Sequence, residues 1–241
     1  MKVSVIIPVY NEFRALGQVL ERVLGAPLPA NCGREIIVID DGSTDGTAQV
    51  LAQFVEAGQV AAHRCARNRG KGAAIRTGIA LASGDIVLIQ DGDLEYDPND
   101  YGRLIEPILS GQAEIVYGSR FLGKATGMAW RNRIANRILA IAAKLLYDAR
   151  ITDEATAYKA FRLGVLRSFR LECQRFEFCP EVTAKARRLG YPIFEVPIGY
   201  NARGIADGKK VRARDGFEAL WTLVKYRFVP RSALLARQPQ D

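Results

Sequence analysis

Four short, almost unbroken apolar runs constrain the fold of this chain more than any other feature. They are VSVIIPVY from Val3, EIIVID from Glu35, DIVLIQ from Asp85 and AEIVYG from Ala113. Apolar runs without polar alternation belong to strands buried on both faces, as in a parallel sheet. VAAHR from Val60 reads as a weaker strand. Between the strands lie helical patterns. In NEFRALGQVLERVLG the residues Phe13, Leu16, Val19, Leu20, Val23 and Leu24 keep helical spacing. DGSTDGTAQVLAQFVEAG puts Leu51, Phe54 and Val55 on one face, and GKGAAIRTGIALASG and DPNDYGRLIEPILSG follow in the same manner. Strands alternating with helices predict a mostly parallel, Rossmann-like α/β sheet with right-handed crossovers. Ligands then bind beyond the carboxyl ends of the strands. Tyr10-Asn11-Glu12, Asp40-Asp41, Asp91 to Glu95 and Gly118-Ser119-Arg120 each follow a strand.

Local signals set the boundaries. Asn11 caps the first helix and Gly25 ends it, Ser43 or Thr44 caps the second, and Asp97 with Pro98 opens the fourth, where Pro107 kinks the end. The second half differs. WRNRIANRILAIAAKLLY predicts a helix with a basic start, TAYKAFR a strand, and PEVTAKARRLG a helix closed by Gly190. YPIFEVPIGY, with its prolines, predicts a strand near an edge. NARGIADGKKVRARDG is a basic loop and FEALWTLVKYRFVPRSALLARQ a final helix. The expected organisation is one continuous domain, with residues 1–118 and 119–241 as its two functional halves.

Length and composition narrow the function. A chain of 241 residues, 49% hydrophobic and 25% charged, buries a sizeable core. Its net charge of +8 points to anionic partners such as phosphorylated ligands or a membrane surface. The basic stretches lack interleaved aromatics, which argues against single-stranded nucleic acid. One histidine and four cysteines without C-x-x-C spacing argue against a zinc site and against histidine acid/base chemistry. Free thiols suit a reducing compartment. The amino-terminal apolar stretch is too short for a signal peptide, and ILAIAAKLLY is far too short to span a bilayer, so the chain is expected to be cytoplasmic and, if it works at a membrane, to dock peripherally from outside on the cytoplasmic face.

Three local patterns bear on chemistry. In VLIQDGDLEYDP the residues Asp91, Asp93, Glu95 and Asp97 stand at alternate positions after a strand. In an extended chain Asp91 and Asp93 fall on one side. Two neighbouring carboxylates are stable at neutral pH when a cation lies between them or one is protonated. A divalent Mg²⁺ or Mn²⁺ that also takes substrate phosphates fits this pattern; solvated acids at a strand end fit it too. DDGSTDGT resembles the start of a calcium loop, but Ala52 stands where that loop needs Glu. RNRGKGAA is not a phosphate-binding loop, because Cys65 and Gly72 stand where Gly and Ser or Thr are required, and no dinucleotide fingerprint follows the first strand.

VSVIIPVYNE, VIDDGSTDGT, NRGKGAAIRTG, GDIVLIQDGDLEYDP and GSRF, in this order and spacing, resemble the family 2 glycosyltransferases of GT-A fold. RNRIANRILAIAAKLLY, ITDEATAYKAFR and the segments through GKKVRARDG resemble the acceptor half of the dolichol-phosphate mannose synthase branch. The resemblance implies a nucleotide-diphosphate sugar as donor, GDP-mannose first, with glucose as the alternative sugar. It implies that Pro8, Tyr10, Glu12, Ile39 and Asp40 line the nucleoside pocket, with Lys71 and Gly92 close by. Asp91 and Asp93 would hold the metal and diphosphate and act with Arg120 in catalysis. The branch commonly has D-A-D-L-Q; here D-G-D-L-E offers Glu95 as a third metal ligand.

The implied acceptor is a polyprenyl phosphate, held by Arg120 and Arg131, then by Arg203 and Lys209, with Arg133 and Lys210 nearby. A phosphate acceptor needs no general base; a hydroxyl acceptor would, and Asp153 is then the candidate. The helix that starts at Trp130 is either core-facing or an interfacial helix on an anionic membrane surface, with Trp130 as anchor. The carboxyl-terminal Trp221, Lys225, Tyr226, Arg227, Phe228 and Arg231 suit the same surface. The rival readings are sugar transfer to a hydroxyl and non-catalytic nucleotide-sugar binding.

Overall fold

The computed structural model describes residues 1–202 and 213–236. Arg203, Lys209 and Lys210 lie outside the described residues. The elements run β1 (Lys2–Val9), α1 (Leu16–Gly25), β2 (Gly33–Asp40), α2 (Thr47–Glu56), β3 (Ala61–Arg64), α3 (Lys71–Leu81), β4 (Ile86–Ile89), α4 (Tyr101–Leu109), β5 (Ile115–Thr126), α5 (Trp130–Tyr147), β6 (Lys159–Arg162), α6 (Leu163–Ser168), α7 (Phe178–Leu189), β7 (Phe194–Asn201) and α8 (Ala213–Phe228). One seven-stranded sheet has the order β3-β2-β1-β4-β6-β5-β7. β6 alone is antiparallel to its neighbours. The short, exposed β3 and the proline-containing β7 are the edges, where missing ladder partners are tolerated.

The apolar runs sort by the two-residue period of a strand. Val3, Val5, Ile7 and Val9 of β1 pack with α1 and α4 on one face of the sheet. Ile6, Ile37, Ile39, Val87 and Ile89 pack with α3, α5, α7 and α8 on the other. Sequence order reverses between β1 and β4, which opens a crevice at their carboxyl ends.

Several boundaries differ from the sequence reading. Asn11 does not cap α1; it adopts a left-handed backbone (φ 52°), and its Oδ1 accepts from Thr44 N at 2.8 Å. Ser43 and Thr44 do not cap α2 either, because Asp45 Oδ1 takes the Thr47 N–H at 2.9 Å. Ser43 Oγ accepts from Asn11 N at 3.0 Å, so both loops spend their polar side chains on each other. β5 continues past Gly118 to Thr126 because its outer end pairs with β7 across a register shift. The last helix stops at Phe228, just before Pro230. Asp97 does accept from Asn99 N (3.1 Å), with Pro98 starting a 3₁₀ turn into α4. Among the described residues no helix is long and apolar enough to cross a membrane.

Candidate active site at the carboxyl edge of the sheet

Four loops converge at this edge and are tied by side chain to backbone. Glu12 N donates to Thr47 Oγ1 at 2.9 Å, joining the loop after β1 to α2. Asp41 accepts from Arg69 N (2.9 Å) and Gly70 N (2.7 Å), pinning the loop before α3. Burial pushes the Asp41 carboxyl above its usual range despite those bonds. Gly70 has a φ of +96°, and a Cβ there would meet Gln174 O at 2.5 Å, so only glycine admits this approach.

Asp40 is wholly buried. Its Oδ1 accepts from Ser43 N (2.8 Å), while Oδ2 makes no hydrogen bond and has the Arg64 Nε ion pair at 3.3 Å. Pro8 and Ile39 are register partners across β1 and β2. Ile39 sends its side chain into the core, and Tyr10 and Glu12 sit half-buried at the mouth.

One cation beside the acid cluster comes from the chain itself. Lys71, the first residue of α3, pairs with Asp91 Oδ1. Burial alone would lower the Lys71 pKa; the charge of Asp91 outweighs it and holds the ammonium above its usual value. Asp93 Oδ1 accepts from Glu95 N at 3.0 Å, which closes a tight turn and orients the loop. Gly92 is fixed by packing, since a Cβ there would lie 2.7 Å from Val9 Cγ1. Glu95 Oε2 accepts from the Tyr200 hydroxyl at 2.7 Å. That bond gives one oxygen of the expected third ligand, Glu95, a protein partner. Asp91 and Asp93 still suit a Mg²⁺ or Mn²⁺ ion, which commonly takes one or two carboxylates and completes its shell with water and substrate phosphate.

Beneath the acid loop lies an aromatic platform that pattern reading missed. Tyr96 stacks on Tyr158 (centroids 4.5 Å apart) and meets Tyr200 edge-on (5.1 Å). The hydroxyls of Tyr101 and Tyr158 both donate to the buried Gln90 Oε1 at 2.7 Å. Tyr96 carried no local signal; its contacts come from Tyr158 and Tyr200, far apart in sequence.

Arg120 is brought to the same place, with its guanidinium 5.0 Å over the Tyr200 ring. It is 7% exposed and clamped by Asp153: Nε to Oδ2 at 2.6 Å, Nη2 to Oδ1 at 2.7 Å, and the Arg120 N–H to Oδ2 at 3.0 Å. Asp153 has no exposed surface and spends both oxygens on Arg120, so it does not face a hydroxyl acceptor. Next to it the buried Glu154 bonds Thr183 through Oε1 (3.2 Å) but leaves Oε2 without a hydrogen bond, and burial raises its pKa to about 6. Arg131 is exposed at the start of α5, with its guanidinium 5.4 Å over Trp130. A cavity of about 310 Å³ lined by Leu24, Leu28, Cys32, Arg34, Ile36 and Gln59 lies near the other end of the sheet and contains no carboxylate.

A family model described as "Glycosyl transferase family 2" matches residues 4–170. The undecaprenyl-phosphate 4-deoxy-4-formamido-L-arabinose transferase of Aeromonas hydrophila is 30% identical over 210 residues, 86% of this chain and 62% of its own length. The dolichol-phosphate mannosyltransferase of Pyrococcus furiosus is 30% identical over 226 residues, 91% of this chain and 62% of its own. This chain thus spans less than two thirds of these curated relatives. Among solved structures, glucosyl-3-phosphoglycerate synthase from Mycobacterium tuberculosis in complex with UDP superposes with a TM-score of 0.72 at 20% identity, over 95% of this chain and 81% of that one. The same enzyme with Mn²⁺, UDP-glucose and phosphoglyceric acid gives 0.72 at 21% identity, over 95% and 80%. The latter likeness is one of fold.

Proposed function

The chain belongs to glycosyl transferase family 2 and has the GT-A fold, and on that premise we propose that it transfers a sugar from a nucleotide-diphosphate sugar to a polyprenyl phosphate. The observation that carries the reading is the acid pair Asp91 and Asp93 at the sheet's switch point, with Lys71 on one side and Arg120 beyond Tyr200 on the other. The names of both quoted relatives include a polyprenol phosphate, which supports the acceptor class. Mannose is the first sugar to test and glucose the second.

In this reading residues 1–118 bind the donor and residues 119–241 the acceptor. Pro8, Tyr10, Glu12 and Asp40 receive the nucleoside, with Ile39 and Gly92 shaping the pocket from behind. Asp40 Oδ2, ion-paired with Arg64 and without a hydrogen bond, keeps an acceptor at the floor of that pocket. Asp91 and Asp93 would hold a divalent ion, which when bound would offset charge on the diphosphate. Lys71 adds a fixed positive charge at the same end. The acceptor phosphate is already an anion, so no side chain has to remove a proton, in keeping with an Asp153 spent on Arg120. Arg131, with Arg203 and Lys209, meets that phosphate by bidentate or point-charge contacts, and Arg120 is oriented beside it by Asp153. Attack from the face opposite the diphosphate inverts the anomeric carbon. The site of work is the cytoplasmic face of a membrane, reached by peripheral attachment.

The test is a panel of nucleotide sugars, GDP-mannose and UDP-glucose first, against a short-chain polyprenyl phosphate with Mg²⁺ or Mn²⁺. The expected product is a polyprenyl-phosphate sugar whose formation stops with chelator. Transfer to a glycan hydroxyl alone would replace the acceptor, and nucleotide-sugar binding without any transfer would leave a binding protein.

A further inference from the structure

The outer surfaces of α5 and α8 hold large apolar side chains that the fold leaves uncovered. On α5, Trp130, Ile134, Ile138, Ile141 and Leu145 are 47–80% exposed. At about 100° per residue they occupy one narrow arc, opposite the arc that buries Leu139, Ala143 and Tyr147. The expected choice between a core-facing and an outward-facing helix is therefore resolved as both, on opposite sides. α8 repeats the pattern with Phe217, Trp221 and Phe228, each at least 66% exposed.

The two arcs belong to one surface. The inner faces of both helices enter the same core layer, Leu139, Ala143 and Tyr147 beside Ala219, Leu223 and Tyr226, and the Tyr147 hydroxyl donates to the Leu223 carbonyl. Their outer faces therefore turn away from that common layer together. The charge is mostly of one sign, the half-exposed Glu218 of α8 being the acid at its edge. α5 carries four cations and no acid. By helical position Arg131 lies on one edge of its apolar arc and Arg133, Arg137 and Lys144 on the other. Lys225 and Arg227 flank the arc of α8, whose Asp215 is buried. An exposed apolar patch of this extent marks an interaction surface. Apolar arcs edged by arginine and lysine, with tryptophan among them, match the layered polarity of a bilayer surface: rings and aliphatic groups at headgroup depth, long cationic side chains reaching back to lipid phosphates.

We propose that α5 and α8 together form a docking face for a bilayer rich in anionic headgroups. This deepens the lipid-acceptor reading but stands on residues separate from the acid loop.

The experiment is flotation of the full chain with vesicles of phosphatidylcholine, with and without phosphatidylglycerol, in the absence of nucleotide and polyprenyl phosphate. The expected result is flotation with phosphatidylglycerol vesicles only, weakened at high salt. Ile138→Asp combined with Trp221→Asp should cut vesicle binding at least about tenfold by burying charge in the headgroup layer. Arg137→Glu with Lys144→Glu should weaken it similarly at low salt only. Both variants alter exposed positions, and unchanged melting temperature and unchanged transfer to a detergent-solubilised short-chain acceptor are expected. Binding that ignores phosphatidylglycerol, or that survives both variants, overturns the proposal. So does a concentration-dependent dimer abolished by Ile138→Asp, which would make the face a contact between two copies. Vesicle binding without any sugar transfer would instead sink the functional reading and leave this one standing.

Discussion

Lys71–Asp91 and Arg120–Asp153 are two ion pairs of the candidate site, and they are built in opposite ways. Lys71 and Asp91 are 25% and 18% exposed and touch through one carboxylate oxygen. Arg120 and Asp153 are 8% and 0% exposed and are joined by three hydrogen bonds, one from the backbone. The first pair can exchange its partner for a ligand without disturbing the sheet. The second cannot, since a buried charge without its partner is strongly unfavourable. The open pair therefore suits binding, and the closed one holds an arginine in register beside Tyr200.

The contrast breaks most visibly at the closed pair. Asp153→Ala leaves a buried guanidinium uncompensated and should cost about 3–5 kcal/mol of stability, read as a lower urea midpoint. Asp93→Ala should leave the urea midpoint nearly unchanged yet lower sugar transfer about a thousandfold, with weaker Mn²⁺-dependent nucleotide binding. If Asp93→Ala unfolds the protein, the acid loop is structural rather than a binding element, and if Asp153→Ala leaves the midpoint in place, the closed pair is not structural.

Glu154 sharpens the comparison through pH. Burial raises its pKa from 4.5 to about 6, so the folded state holds the proton more tightly than the unfolded chain. The resulting stabilisation is complete below pH 4.5 and is lost as pH rises to about 6, a change of about 2 kcal/mol. Glu154→Gln removes that slope. Other raised groups, such as Asp41 and Glu195, contribute equally to both proteins. The difference between the two stability curves over this window should therefore come from Glu154; parallel curves would show that it is not buried as an acid.

How far the sequence revealed this site follows the range of the interactions. The strands before Asp40 and Asp91 were legible because each is a continuous apolar run whose partners share its pattern. Gly70 was legible only as part of a glycine-rich stretch, since its steric reason is Gln174, over a hundred residues away. Lys71 was expected near the donor, but its pairing with Asp91 depends on β1 lying between β2 and β4. Asp153 carried a signal that pointed the wrong way: an acid near the acceptor half reads as a base until its partner is known. Tyr200 carried none, because a tyrosine in an edge strand has no local reason to reach Glu95.

That last contact supports the smallest prediction. The Tyr200 hydroxyl donates to Glu95 Oε2, and the same ring lies under Arg120, so one side chain links the acid loop to Arg120. Tyr200→Phe keeps the ring and deletes the hydroxyl. The expected loss of stability is about 1 kcal/mol, the net worth of one hydrogen bond. The informative change is in metal binding. With the Tyr200 bond deleted, Glu95 has one restraint fewer against turning toward Asp91 and Asp93, where a third carboxylate would tighten the hold on a divalent ion. Titration with Mn²⁺ in the presence of nucleoside diphosphate should then show tighter binding in Tyr200→Phe and not in the double variant Tyr200→Phe, Glu95→Gln. Equal affinity in all three proteins would mean that Glu95 serves the aromatic platform alone, and that the metal end of the site ends at Asp93.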